Sequence, residues 1–132
     1  MKLDTVLTLS AIYLGILWVG FMLAPRQIGI GAVPLDPSPE LVAYLRVFSG
    51  PFLGIAVLNW LARGAPPSPT RNAIVAANIV GFACVAAMDV WGVFSGGARE
   101  VAKVFLVIHL LFTVAFVLAG RSSTRLQTPG QA

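Results

Sequence analysis

Charge is scarce in this chain. Nine basic and five acidic residues make up 11% of its 132 positions, against about 25% in an ordinary soluble domain. That deficit excludes a globular surface covered by water. Cysteine is scarcer still. Cys84 stands alone, so no intrachain disulfide forms and cysteine gives no reading of the compartment. Its place in the middle of an apolar run predicts a buried thiol packed as a small apolar group. One histidine, His109, and one cysteine are too few for a usual structural metal site within a single chain. The glycine-rich phosphate loop, HExxH, CxxC and nucleophile-elbow patterns are missing from the sequence, which removes the common signatures of soluble enzymes. On these grounds no enzyme activity and no cofactor are expected. The net charge of +4 is spread without a basic cluster, so a nucleic-acid partner is not expected either.

What the chain has in quantity is apolar length. Residues 5–25 and 104–120 contain no Asp, Glu, Lys or Arg, residues 41–62 contain only Arg46, and residues 72–94 contain only Asp89. Each run is about 20 residues, the length an α-helix needs to cross ~30 Å of hydrocarbon. Backbone polar groups find no water there, so a span must be a helix or a strand of a closed barrel. Barrel strands alternate apolar and polar residues, and these runs do not. The fold class predicted is all-α: an integral membrane four-helix bundle over residues 1–120, in contact with the lipid bilayer. Its spans are expected near 5–25, 41–62, 72–94 and 102–120, with a polar, disordered tail over 121–132. The first run exceeds the roughly 7–15 apolar residues of a signal peptide, and Leu23-Ala24-Pro25-Arg26 is a poor cleavage site, so it is read as a retained span.

Four spans place both termini on one side. That side carries Lys2, Arg63, Arg71, Arg121 and Arg125, and the other carries Arg26, Arg99 and Lys103. The bias predicts both termini in the cytoplasm and a multi-pass protein of the inner (plasma) membrane.

Local signals subdivide the runs. The weakly charged stretch 27–39, rich in proline, favours extended backbone and is expected over the bundle mouth or at the lipid interface. Ser38-Pro39-Glu40 reads as a helix start, with Ser as N-cap, Pro in the first turn and an acid beside it. Ser49-Gly50-Pro51 predicts a bend in the second span. Residues 64–70 read as a short, stiff hairpin, and Ser95-Gly96-Gly97 as the stop of the third span. Gly50 and Gly54 form a GxxxG, and Ala73, Ala77 and Gly81 a second small-residue seam. Packing within the bundle is the expected use of such patterns, and they also suit a membrane partner. The three tryptophans and Tyr44 fall where interfacial aromatic belts form.

Arg46, Asp89 and His109 are the ionisable residues well inside the spans, and such residues are default candidates for function. At ~1.5 Å per residue, Arg46 lies about 7–8 Å inward from Leu41 and Asp89 about 7–8 Å inward from Phe94. Equal depth and opposite sign predict that Arg46 and Asp89 form an ion pair in the outer half of the bilayer, locking two helices or handling a substrate or ion. Arg46 alone could instead snorkel to the headgroups. Asn78 lies eleven residues before Asp89 on the same helix face, with Phe82 and Val85 between them. Asn59 falls nearly opposite Arg46. Phe105, His109, Phe112 and Phe116 share one stripe. His109 is open to three readings: a hydrogen-bonded interior histidine, a proton relay, or a haem or metal ligand. Haem would need a second axial ligand from Met22, Met88 or His109 of a second copy. The interior histidine, facing the bundle, is expected. The candidate intramembrane polar set is therefore Arg46, Asp89, His109, Asn78 and Asn59.

Leu45-Arg46-Val47-Phe48-Ser49-Gly50-Pro51-Phe52-Leu53-Gly54, followed by Leu58-Asn59-Trp60-Leu61-Ala62-Arg63, resembles small bacterial four-span membrane proteins of a family of unknown function. Asn78-Ile79-Val80-Gly81-Phe82 and His109-Leu110-Leu111-Phe112 fit the same pattern. The resemblance implies the architecture and no activity. The function expected is a non-enzymatic scaffold or accessory subunit of a membrane complex, as a homo-oligomer or with a larger partner. The alternatives are a small transporter or ligand-binding bundle using the polar set, and a redox-complex subunit near haem or quinone.

Overall fold

The computed structural model describes residues 2–31 and 33–125, with 122–125 described by their backbone alone. Helix α1 runs over Leu3–Leu23, a short α2 over Pro25–Ile28 and a 3-10 turn over Gly29–Gly31. Helices α3 (Pro39–Phe48) and α4 (Gly50–Ala62) together form the second span, α5 (Pro69–Phe94) the third and α6 (Ala102–Arg125) the fourth. All four spans are long and apolar enough to cross a membrane. The fold is an all-helical four-span bundle, as the charge-poor runs require.

The local chemistry explains the boundaries. Ser38 caps α3 by accepting from Leu41 N at 3.2 Å. Ser68 caps α5 in the same way, accepting from Arg71 N at 3.2 Å, so that helix begins three residues before the expected start at Asn72. Helix α1 ends at Leu23, because Ala24 leaves helical geometry (φ −138°, ψ 57°) ahead of Pro25, as a residue before proline tends to do. The second span breaks at Ser49, where Pro51 has no N–H to give and the Ser49 hydroxyl donates to Arg46 O at 2.6 Å. Gly96 supplies the left-handed turn (φ 71°) that ends the third span. The fourth helix continues to Arg125, correcting the expectation that a tail starts at 121; the remainder of that tail, 126–132, lies outside the described residues.

The spans pair as sequence neighbours. The first packs along the second and the third along the fourth. The first also touches the fourth, whereas α4 and α5 barely meet. The core is Leu3, Val6, Leu7, Leu14, Ala56, Ala62, Val75, Phe82, Phe116 and Ala119. Residues 24–31, 33–38 and 95–101 lie at one end, here termed the cap side; residues 63–68 lie at the other, the hairpin side. The first loop does close over the mouth. Pro25, Gly29, Gly31 and Val33 are buried, and Arg99 holds the loop by donating to Ile30 O at 3.0 Å and Val33 O at 2.7 Å.

Two expectations about small residues are corrected. A Cβ built on Gly50, Gly54 or Gly81 would meet nothing within 4 Å, and Ala73 and Ala77 are exposed. These seams face outward and do not pack the bundle. Cys84 is exposed on the same outer side of the third span and is not a buried thiol. The inward stripe of α5 is instead Arg71, Val75, Asn78, Phe82 and Ala86.

Candidate functional site

The interior polar groups fall into two clusters at different depths. In the cap-side cluster, α6 carries His109 inward on its aromatic stripe, only 8% exposed. Asp89 meets it from α5, with Oδ2 at 2.6 Å from His109 Nδ1. Tyr13 meets it from α1, with its hydroxyl 2.9 Å from His109 Nε2. A neutral imidazole that donates from Nδ1 to Asp89 and accepts the Tyr13 hydroxyl proton at Nε2 gives all three groups a partner. Three spans are thereby tied at one level.

The second cluster lies toward the hairpin side. Asn59 on α4 and Asn78 on α5 exchange amide hydrogen bonds: Asn59 Nδ2 donates to Asn78 Oδ1 at 2.8 Å, and Asn78 Nδ2 donates to Asn59 Oδ1 at 2.7 Å. Their remaining amide hydrogens reach Ser10 Oγ of α1 at 2.9 Å and Ile74 O at 2.9 Å. The amide donors of both side chains are therefore committed. Asn59 and Ser10 are wholly buried. This clamp closes the one side of the bundle, between α4 and α5, where apolar packing is thin.

An aromatic layer separates the clusters. Phe82 stacks on Phe112 with centroids 4.7 Å apart and on Phe116 at 5.9 Å, and Tyr13 lies 6.4 Å from Phe82. Asn78 and Asp89 are about 16 Å apart along their helix, with Phe82 filling the interval, so the two clusters form no continuous polar line. Val85, expected in that interval, is 41% exposed and off the inner face.

Arg46 belongs to neither cluster, and the predicted Arg46–Asp89 pair is not formed. Arg46 is exposed and donates from Nε to Met22 O at 3.2 Å, capping the last turn of α1, where a cation is favoured by the free carbonyls and the helix dipole. The error lies in depth. Helix α3 begins at Pro39 and reaches Arg46 only at the level where α1 ends. Tyr13, at the level of the Asp89–His109 pair, is nine residues below Met22, about 13 Å. Asn59 does lie opposite Arg46, buried where Arg46 is exposed. Asn78, Asp89 and His109 line the interior, but in two groups rather than one.

The sequence reading missed Tyr13 and Ser10. Tyr13 carried a usable signal: it is an aromatic residue with a polar tip near the middle of a span, too deep for an interfacial belt. It also missed the ion pair between Arg71 and Asp4, 2.6 Å apart at the hairpin side, whose Arg71 Nε has no partner among the described residues. Among the described residues no group of three His, Cys, Asp or Glu side chains is placed to hold a metal.

The fold and its interior define a class: a multi-pass α-helical membrane protein whose spans are joined by buried hydrogen bonds. No protein-family model, curated protein or solved structure matches the chain.

Proposed function

We propose that the protein is a non-enzymatic scaffold or accessory subunit of a membrane complex, seated in the inner membrane of a bacterium with both termini cytoplasmic. The observation that carries this reading is the mutual commitment of the interior polar groups. Tyr13, His109 and Asp89 bond to one another, as do Ser10, Asn59 and Asn78, and an aromatic layer stands between the sets. Such networks hold helices in register, since a polar group left unpaired in hydrocarbon costs several kcal/mol. The outward small-residue faces at Gly54 and Ala77 support the reading, because they let another helix approach closely. Orientation rests on the basic-residue bias, and the resemblance to bacterial four-span proteins belongs to the same proposal.

The test is native mass spectrometry of the protein released from its own membranes in mild detergent. A complex of fixed stoichiometry, with itself or a second polypeptide, is expected, and Gly54→Leu or Ala77→Leu should break it while the melting temperature of the chain holds. A chain that leaves the membrane alone would overturn the proposal.

A second reading, a small transporter, is favoured by one observation: a carboxylate and an imidazole, Asp89 and His109, are paired inside the apolar spans. It requires proton movement in reconstituted vesicles that disappears with His109→Gln.

A further inference from the structure

A groove of about 490 Å³ runs along the outer side of the crossing of α5 and α6 at the hairpin side. Its walls come from one face of each helix: Asn72, Val75, Ala76 and Ile79 at helical spacing, and Val117, Gly120 and Arg121 opposite. We propose that this groove binds an anionic phospholipid of the hairpin-side leaflet, with an acyl chain along the apolar walls and the phosphate on Arg121.

Three observations fit that occupant. The polar residues lie at one end only. Asn72 is in the first turn of α5 and Arg121 follows Gly120 near the end of α6, so both stand at headgroup level, while Ile79 lies about 10 Å deeper. A phospholipid has the same order: an anion and acceptor oxygens above, hydrocarbon below. The open groove suits a segment of one acyl chain lying along the helices, with the rest of the lipid facing the bilayer.

Charge supplies the third observation. The chain has five acidic residues. Asp4 is paired with Arg71, Asp89 with His109 and Glu100 with Lys103, while Asp36 and Glu40 lie toward the cap side. Among the described residues no carboxylate is left at the hairpin side for Arg121, which is exposed at the groove mouth. Arg63, half-buried at the same end, is held against Trp60, with Cζ 3.5 Å from the ring centroid. Arg121 and Asn72 therefore offer N–H donors to a phosphodiester, which accepts at several oxygens.

The experiment compares retention of phosphatidylglycerol and phosphatidylcholine by the purified chain in mixed micelles, counted by native mass spectrometry. Phosphatidylglycerol should be retained in preference. Arg121→Gln should lower its retention about fivefold, which is ~1 kcal/mol at 1.4 kcal/mol per tenfold, the contribution of one basic residue at an anionic surface. Ala76→Phe, filling the groove from an exposed position, should abolish retention of both lipids, and Val117→Phe on the facing wall should do the same if the first variant folds poorly. Arg26→Gln, at the cap side, should change nothing. Equal retention of the two lipids by the unaltered chain would overturn the proposal, as would retention indifferent to both groove variants. So would a second copy of the chain displaced by Ala76→Phe in place of lipid.

Discussion

His109 Nδ1 and Asp89 Oδ2 stand 2.6 Å apart and join the third and fourth spans from the inside. The two helices are antiparallel sequence neighbours and pack more extensively than any other pair in the bundle, so the contact draws on a scaffold that already holds both backbones. Tyr13 extends it to the first span at 2.9 Å. Removing either member of the pair strands the other in a poorly solvated place. His109→Ala and Asp89→Ala should each cost about 1–3 kcal/mol. The double variant should cost clearly less than their sum, measured by reversible unfolding in detergent; additive losses would show that the pair contributes no coupling.

Arg46 and Asp89 should behave independently. Arg46 sits at the end of α1, bonded to Met22 O, about 13 Å above the Tyr13 level. Sites so separated, without shared partners, add within ~0.3–0.5 kcal/mol. The melting shifts of Arg46→Gln and Asp89→Asn should sum in the double variant. A strong non-additive term would mean that the two side chains meet after all.

The Asn59–Asn78 clamp should show the opposite behaviour. Each single change to Leu leaves the partner amide short of hydrogen bonds inside the bundle, a loss of roughly 1–2 kcal/mol within the range seen for interhelical bonds in membranes. Changing both removes the unmet demand and fills the space with apolar atoms. Asn59→Leu with Asn78→Leu should therefore recover stability relative to either alone. Cysteine crosslinking between α4 and α5 would report whether the weakly packed side of the bundle has opened.

The cap over the bundle depends on a close approach at Gly20. A Cβ there would stand 2.4 Å from Ile28 Cγ1, so Gly20→Ala must displace the α2 segment or its side chain. Overpacking of this kind costs about 1–3 kcal/mol. Ile28→Ala in the same chain should restore most of the loss, read as melting temperature and as protease resistance of the 24–38 loop. A Gly20→Ala variant as stable as the parent would remove the close approach from the account.

Much of the fold is legible in the sequence. A low charge count and four apolar runs of membrane-spanning length dictate helices, because hydrocarbon leaves the backbone no other partner. Ser38-Pro39, Ser49-Gly50-Pro51 and Ser95-Gly96-Gly97 marked a start, a bend and a stop, since capping and proline effects act over a few residues and need no tertiary context. The inward stripe of Phe105, His109, Phe112 and Phe116 was legible for the same reason: helical period is local.

The polar partnerships were decided elsewhere. Arg46 and Asp89 matched in depth only if all runs began at one level. Helix α3 instead starts above the end of α1, because the loop after Pro25 folds over the mouth before the second span begins at Pro39. The small-residue seams could not be assigned a direction from spacing alone, since the same period fits an inner and an outer face, and both proved to face outward. Tyr13, 96 residues from His109 in the chain, became its partner through the way α1 lies against α6. Sequence by itself determined that there are four spans and roughly where each starts and stops, since those are local consequences of solvation and backbone chemistry. Which buried side chains meet depends on relative height and rotation of the helices, and that only the packing of the whole bundle sets.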